Sequence, residues 1–347
     1  MSASAQRVSQ PELPLVIPFP TLSKAADDLD FKPDEVITVR SYWTRRVLPE
    51  LEKRVKDREM SERSIKEDRH AINAWEKSTF NPDIREVTPT VLEQFKDGQL
   101  DLQIAPPTIN KRWRELKAIF AFAEYDKLIP RVPQIAHRKR ARLLKEAPKR
   151  QRESVTDPEV ELLWKQCREA SYPIKGQFPA PMLWRVWLVL VHTYGPRPID
   201  LKKLSWPDIR WNDRLIQFEA TKTGKLQGLP MTDLVARHLR SIKGHSEKVF
   251  SNFKSTGCFL QKTQSWKPGY YATWRSEISL GLAPEITFKH FRETMVTRYN
   301  RIQKDLGGWI AGHFIPGVTA QNYDLPTAAI REAIESAPVP RCFAEVA

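Results

Sequence analysis

Apolar residues recur at helical spacing through the first third of the chain. From Asp34 this pattern predicts a helix that Pro49 kinks or splits, because proline lacks a backbone donor and clashes with the preceding turn. Three further helices are predicted, each beginning at a hydroxyl side chain that can accept a hydrogen bond from the first turn. Those residues are Ser64 (in a capping box with Glu67), Thr88 and Thr108. With the third helix stopping at Gly98, the pattern predicts a small all-α domain.

The second half of the chain has a different pattern, which predicts a mainly α fold with a small antiparallel β-sheet. A capping threonine followed by proline at residues 156–158 predicts the start of a new domain. Residues 182–191 are apolar nearly all round, as in a buried helix. Alternating residues predict two strands joined by a turn, and helical spacing then returns. The strands are predicted at 215–219 and 229–231, and the helices at 234–242 and 288–299.

Length and charge then set the organisation of the whole chain. At 347 residues it is long enough for two domains, and 56 Lys and Arg against 42 Asp and Glu give a net charge of +14. Such an excess favours a polyanionic partner, although solubility alone is an alternative explanation. The expected parts are a mobile tail over 1–33, a helical domain over 34–136, a basic linker over 137–152, a second domain over 153–336 and a C-terminal tail over 337–347.

Other sequence signals favour an intracellular protein. The three cysteines are widely spaced and match neither a zinc pattern nor a disulfide framework, which suits a reducing cytoplasm. No secretory signal and no membrane-spanning run is recognised, and the first thirty residues are too few for a further domain.

The linker is the most basic stretch, with eight Lys or Arg and one Glu over residues 137–152. It is interpreted as a segment that binds a nucleic-acid backbone, with a flexible solvated run as the alternative. Its cations proposed to contact DNA are Arg138, Lys139, Arg140 and Arg142.

Three blocks in the second domain carry the chemistry, and they lie at residues 192–209, 287–294 and 312–323, with the turn 221–225 between the first two. In order and spacing they resemble the catalytic domain of the tyrosine recombinases, the phage-integrase family. Guanidinium groups can hold two phosphate oxygens at once, which suits Arg197 and Arg292 for gripping a phosphodiester. Lys289 lies three residues before Arg292, so one helix face presents both.

The resemblance implies the remaining roles. Lys222, with Lys225 as second choice, would protonate the leaving 5′ oxygen, and His313 would hydrogen-bond the phosphate. Tyr323 would form a 3′-phosphotyrosyl link, which stores the bond energy so that neither metal nor ATP is required. Asp200 and His290 are supporting residues, and Asp200 lies within reach to orient Arg197.

This sequence departs from the family pattern in three places. Lys289 replaces the usual histidine, Asp200 replaces the usual glutamate, and the interval from His313 to Tyr323 is one residue longer. In the first domain, the helix from Thr108 resembles a DNA-contacting helix of the family, with a solvated surface as the alternative. Its cations expected to face phosphates are Lys111, Arg112, Arg114 and Lys117.

The resemblance therefore implies a cytoplasmic, nucleoid-associated recombinase that acts on double-stranded DNA and assembles as a tetramer of two dimers. A type IB topoisomerase and a non-catalytic DNA-binding protein on the same scaffold are the alternatives. Residues 326–335 predict a short amphipathic helix that docks on a neighbouring subunit, or else packs back on its own domain.

Overall fold

The computed structural model confirms a mainly α protein with a small antiparallel sheet. It describes residues 31–32, 34–134, 144–146, 154–174, 176–221, 226–254, 258–260, 265–267, 269–282, 285–312 and 327–345. The chain divides into two compact units, Met1–Lys149 and Arg150–Ala347. Within the described part, every helix is too short or too polar to cross a membrane.

The first unit begins with helical turns that run through Pro49 without a break. Helix α1 (Val39–Tyr42) passes into a π-helical turn (Trp43–Val47) and then into α2 (Leu48–Lys56). Pro49 therefore lies in the first turn of α2, where its missing N–H removes no hydrogen bond of that helix. The wide π turn immediately before it accommodates the proline, so the predicted split does not occur.

The next helix, α3 (Glu62–Thr79), begins one turn earlier than predicted. The backbone N–H of Ser64 already donates to Ser61 O at 3.0 Å, so Ser61, not Ser64, is the residue before the helix. The predicted partner Glu67 instead forms an ion pair with Lys111. The predicted capping box at Ser64 is wrong because Ser61, another serine one turn upstream, takes the N-cap position.

Helix α4 (Pro89–Asp101) begins where predicted, with the Thr88 side chain accepting from the N–H of Val91. It continues past Gly98, because that glycine serves close packing: a Cβ there would lie 3.0 Å from Ser78 Cβ on α3. Helix α5 (Pro106–Tyr125) begins before Thr108. Two prolines fill its first turn and carry no N–H groups that need a cap.

The core of the first unit lies between these helices. Trp75 of α3 packs against Phe95 of α4 and Phe120 of α5, with ring centroids 5.6 and 5.7 Å apart. All three rings are buried. The aromatic contacts join α3, α4 and α5 into one apolar core.

The second unit is built around a central apolar helix. Helix α6 (Asp157–Gln166) opens it after Thr156, the predicted cap, which also forms a capping box with Glu159 that was not predicted. Helix α7 (Ala180–Tyr194) is buried on nearly every side, and its Trp187 ring stacks on Phe253 with centroids 4.9 Å apart. The following elements are α8 (Pro198–Lys203), β1 (Ile209–Arg210), β2 (Leu215–Glu219), β3 (Leu226–Pro230) and α9 (Asp233–Ser241).

The small sheet is antiparallel in the order β1-β2-β3, and β2 pairs with β3 from Leu215–Pro230 to Glu219–Leu226. The two-residue strand β1 was not predicted. A second antiparallel pair joins β4 (Cys258–Leu260) to β5 (Ser265–Lys267). The helices that follow are α10 (Tyr270–Thr273), which continues as a π turn to Ile278, then α11 (Phe288–Ile302), α12 (Leu306–Ile310) and α13 (Thr327–Ser336).

The C-terminal segment packs on its own unit. Ile330, Ala333 and Ile334 of α13 are buried in the core, so the prediction that this face docks on a neighbouring subunit is wrong here. The predicted tail also packs inward, with Phe343 fully buried and its carbonyl accepting from His238 Nε2 at 2.9 Å. The apolar face predicted for this helix is thus covered by the unit that carries it.

Candidate active site

The turn after α7 brings the first predicted arginine to the site. Gly195 ends the helix with φ +56°, and a Cβ there would lie 3.0 Å from Arg292 Cα and 2.7 Å from Met295 Cε. A glycine is therefore needed both for the left-handed turn and for the approach of α11. Arg197 follows as the residue before α8.

Asp200 joins Arg197 to the start of the predicted lysine turn. Its buried carboxylate lies 3.7 Å from Arg197 Nη1, which is the contact that the three-residue spacing predicts. The other carboxylate oxygen accepts from the backbone N–H of Thr221 at 3.0 Å. One side chain thus orients the arginine and fixes the residue immediately before Lys222.

Arg292 is held by backbone carbonyl groups. Its Nη1 donates to Gly195 O at 2.7 Å, and its Nη2 donates to Ala311 O. Burial, with the nearby charge of Arg197 as a second cause, lowers the pKa of Arg292 to about 10, and Asp200 opposes that shift. Among the described residues no carboxylate forms an ion pair with Arg292. The side chain is therefore a positioned cation, still charged at neutral pH, whose positive charge is not neutralised by a partner.

Gln227 is a residue of this site that the sequence analysis missed. From β3, its Nε2 donates to Trp309 O and, at 3.1 Å, to Ile310 O, which are carbonyl groups at the end of α12. Gly312 follows with φ +67°, and a Cβ there would lie 2.8 Å from Gln227 Oε1. The contact spans more than eighty residues of sequence, so no local pattern could have indicated it.

Four of the predicted residues, Lys222, Lys225, His313 and Tyr323, lie outside the described residues. The residues that flank them are described. Thr221 is bound to Asp200, and Gln227 and Arg292 both bind the backbone between Trp309 and Ala311. Asp200 thus contacts both Arg197 and the residue before Lys222. Arg292 and Gln227 likewise bind the backbone shortly before His313.

Lys289 and His290 have other partners in the structure. Lys289 Nζ is exposed on α11 and lies 2.9 Å from Glu293. His290 Nδ1 accepts from the backbone N–H of Thr287 at 3.1 Å and so caps the start of α11. Their roles in chemistry stay predictions.

The fold can be compared with known structures once this geometry is established. No model of a protein family matches the sequence, and no curated protein matches it. Solved structures do match it, among them three with probability 1.00. A lambda integrase dimer (residues 75–356) bound to a COC′ core site has a TM-score of 0.56 and 18% identity, covering 83% of this chain and 98% of that one.

A lambda integrase tetramer bound to a Holliday junction gives a TM-score of 0.54 at 17% identity, covering 84% of this chain and 78% of the other. The Tn1549 transposon integrase in complex with circular intermediate DNA gives 0.52 at 16% identity, covering 86% and 99%. The chain has the tyrosine recombinase fold. At these identities the likeness establishes the fold, and it extends over both units.

In this tyrosine recombinase fold, the cations predicted to face DNA on α5 are engaged with neighbouring side chains. Lys111 Nζ lies 2.6 Å from Glu67, and Arg114 pairs with Glu115 at 3.0 Å. Arg112 donates to the buried amide of Gln99. Lys117 is half-buried on the same helix. Arg112 therefore has a structural contact that its sequence position did not predict.

The linker is only partly described, and Arg138, Lys139, Arg140 and Arg142 lie outside that part. Its residues 144–146 are bound to α5. Asn110 Nδ2 donates to Leu144 O at 3.0 Å and to Glu146 Oε1 at 2.9 Å, and Asn110 Oδ1 accepts from the N–H of Leu144 at 2.9 Å. A single buried amide thus fixes this part of the linker to the first unit.

Proposed function

We propose that the protein is a site-specific DNA recombinase that cleaves and rejoins DNA through a covalent tyrosine link. The observation that supports the proposal is the proximity of Arg197 and Arg292: the charge of Arg197 helps to lower the pKa of Arg292. Two guanidinium groups close together repel each other, and Arg292 is half-buried with no ion pair to any carboxylate of the described residues. A phosphodiester is the anion whose two non-bridging oxygens would use both.

In the proposed reaction, the Tyr323 hydroxyl gives up its proton to solvent and its oxygen attacks the phosphorus, while Arg197 and Arg292 stabilise the charge on the phosphate oxygens. The phosphorus–oxygen bond to the 5′ side breaks, and Lys222 gives its proton to the leaving oxygen. His313 and Lys289 are assigned to hydrogen bonds with the same phosphate. Attack by a 5′ hydroxyl on the phosphotyrosyl link reverses these steps and rejoins a strand, so the exchange requires no ATP.

We assign the helical unit to core DNA binding, with α5 and the basic linker against the phosphate backbone. The second unit is assigned to catalysis. Neighbours of the same fold are described as a dimer on a core site and as a tetramer on a Holliday junction. The proposal extends to this chain as a tetramer of two dimers on double-stranded DNA, located at the nucleoid.

The test is covalent capture on a nicked duplex. A binding site is first selected from random duplexes, and a nick next to the scissile position then lets the cleaved fragment escape. Wild-type protein is expected to form a DNA adduct that maps to Tyr323, and Tyr323→Phe should bind without forming it. Tyr271→Phe is the matched control, since Tyr271 is a partly exposed tyrosine of the same unit.

The burial of Tyr299 makes the result of this test easier to interpret. Tyr299 is fully buried, its hydroxyl donates to Thr193 O at 3.1 Å, and burial raises its pKa to about 12. It is therefore not available as a substitute nucleophile. No adduct on any bound duplex would support a non-catalytic scaffold, and relaxation of supercoils without site preference would support a topoisomerase.

A further inference from the structure

A second cation in the unit assigned to catalysis is held by a histidine ring. Arg298 lies on α11, six residues after Arg292, and it is largely shielded from solvent. Its Nη2 lies 2.7 Å from Nε2 of His192, a fully buried ring. No carboxylate within the described ranges forms an ion pair with Arg298.

The imidazole does not neutralise this guanidinium. Burial, with the charge of Arg298 as a second cause, holds the pKa of His192 well below its ordinary value, so the ring is neutral and accepts a hydrogen bond. A positive charge removed from water is costly unless an anion is paired with it. The two side chains therefore form a polar pair. Tyr299 and Asp157, which lies beyond ion-pair distance, also favour the charged form of Arg298, but burial outweighs them and lowers its pKa.

A cavity lies beside Arg298. Its volume is 390 Å³, within the range of about 300–1,000 Å³ that small-molecule sites occupy. Thr193, Thr232 and Arg214 line it with polar groups. Two carboxylates also line it, and each already has a partner: Asp233 pairs with Arg214, and Glu335 pairs with Arg331. The apolar part of the wall comes from Leu234, Ile334 and Val339.

We propose that this cavity binds an organic carboxylate with a short apolar tail. The carboxylate pairs with Arg298, and the tail packs on Leu234, Ile334 and Val339. Neither Arg197 nor Arg292 is among the residues that line the cavity, and the site does not depend on the proposed recombinase activity. The proposed ligand is a small molecule and is not the DNA that the exposed basic surface would bind.

The experiment titrates the full chain with pentanoate, acetate and inorganic phosphate at constant ionic strength, by calorimetry. Pentanoate is expected to bind saturably, and at least about tenfold more tightly than acetate because its three extra methylene groups leave water. Arg298→Met should abolish the binding. Arg301→Met is the matched control, since Arg301 is an exposed arginine on the same helix.

Equal pentanoate binding by the Arg298→Met and wild-type proteins would overturn the site. Binding of phosphate but not pentanoate would overturn the ligand class. If Arg298→Met does not fold, Val339→Asp provides the same test, because Val339 is 51% exposed at the rim and tolerates a polar side chain. Its added carboxylate should compete with pentanoate and weaken its binding, and unchanged binding would contradict the proposal.

Discussion

Two sets of cations in this molecule are held in opposite ways. Arg292 is held by the carbonyl oxygens of Gly195 and Ala311, which position the guanidinium and leave its net charge intact. Lys111 on α5 is held by the carboxylate of Glu67 at 2.6 Å, which neutralises it. A cation fixed by dipoles stays available for an anion, whereas a cation fixed by a carboxylate must give up its partner first. The comparison predicts where substitutions should have large effects.

The largest effect is expected at the carbonyl-held arginine and its neighbour. Arg292→Ala or Arg197→Ala should slow DNA cleavage by about 10²–10³-fold, the usual scale for one charge-stabilising donor in an active site. Single-turnover cleavage of the nicked duplex measures it. Arg301→Ala, on the exposed face of the same helix, should cleave at nearly the wild-type rate, and a similar loss in that control would make the effect one of helix stability.

The linker extends the comparison to cations with few acidic neighbours in sequence. Changing Arg138, Lys139, Arg140 and Arg142 to glutamine should reduce the slope of log affinity against log salt by up to about 3.6, at roughly 0.9 per phosphate contact. When the salt concentration rises fourfold, the factor by which this variant loses affinity would then be up to about 150 times smaller than the factor for the wild type. An unchanged slope would show that this stretch is a solvated linker without phosphate contacts.

Gln227 tests whether the backbone around α12 must be positioned as well as the arginines. Gln227→Glu keeps the shape of the side chain but directs a carboxylate at the carbonyl groups of Trp309 and Ile310. Cleavage should fall by about tenfold or more, because misplaced catalytic groups lose alignment, while DNA binding should stay near wild type. Gln227→Arg should restore part of the rate since it restores donors. Gln217→Glu on β2 is the control.

The smallest effect is expected where the ion pair is exposed. Glu67→Gln should free Lys111 and strengthen DNA binding by up to about fivefold, because surface ion pairs contribute at most about 1 kcal/mol. Glu76→Gln, which breaks the pair with Arg40, is the matched control. Weaker binding by Glu67→Gln would show that the ion pair orients Lys111 for contact with DNA.

Local signals in the sequence predicted the helices and the small sheet well. The apolar run of α7 and the capping threonine before α6 depend on neighbouring residues, and both are present. One error arose where a tertiary contact overrides a local signal. Gly98 resembles a helix end, yet it lies inside α4 because Ser78 of α3 packs against it.

The site was predictable only to the extent that its motifs are local. The contact of Arg197 with Asp200 follows from three-residue spacing. The role of Gln227 and the pairing of His192 with Arg298 join residues far apart in sequence, so periodicity could not reveal them. The face of α13 was correctly predicted to be apolar, but only the fold shows that its own unit covers it.

The most direct measurement of the central claim compares two substrates for Arg292→Ala. One duplex carries the natural scissile phosphate, and the other carries a methylphosphonate there, which lacks the negative charge that the arginines would offset. If Arg292 acts as a positioned, uncompensated cation, the variant should cleave the methylphosphonate duplex much closer to the wild-type rate than it cleaves the phosphate. An equal loss on both substrates would contradict the claim and make Arg292 a structural residue.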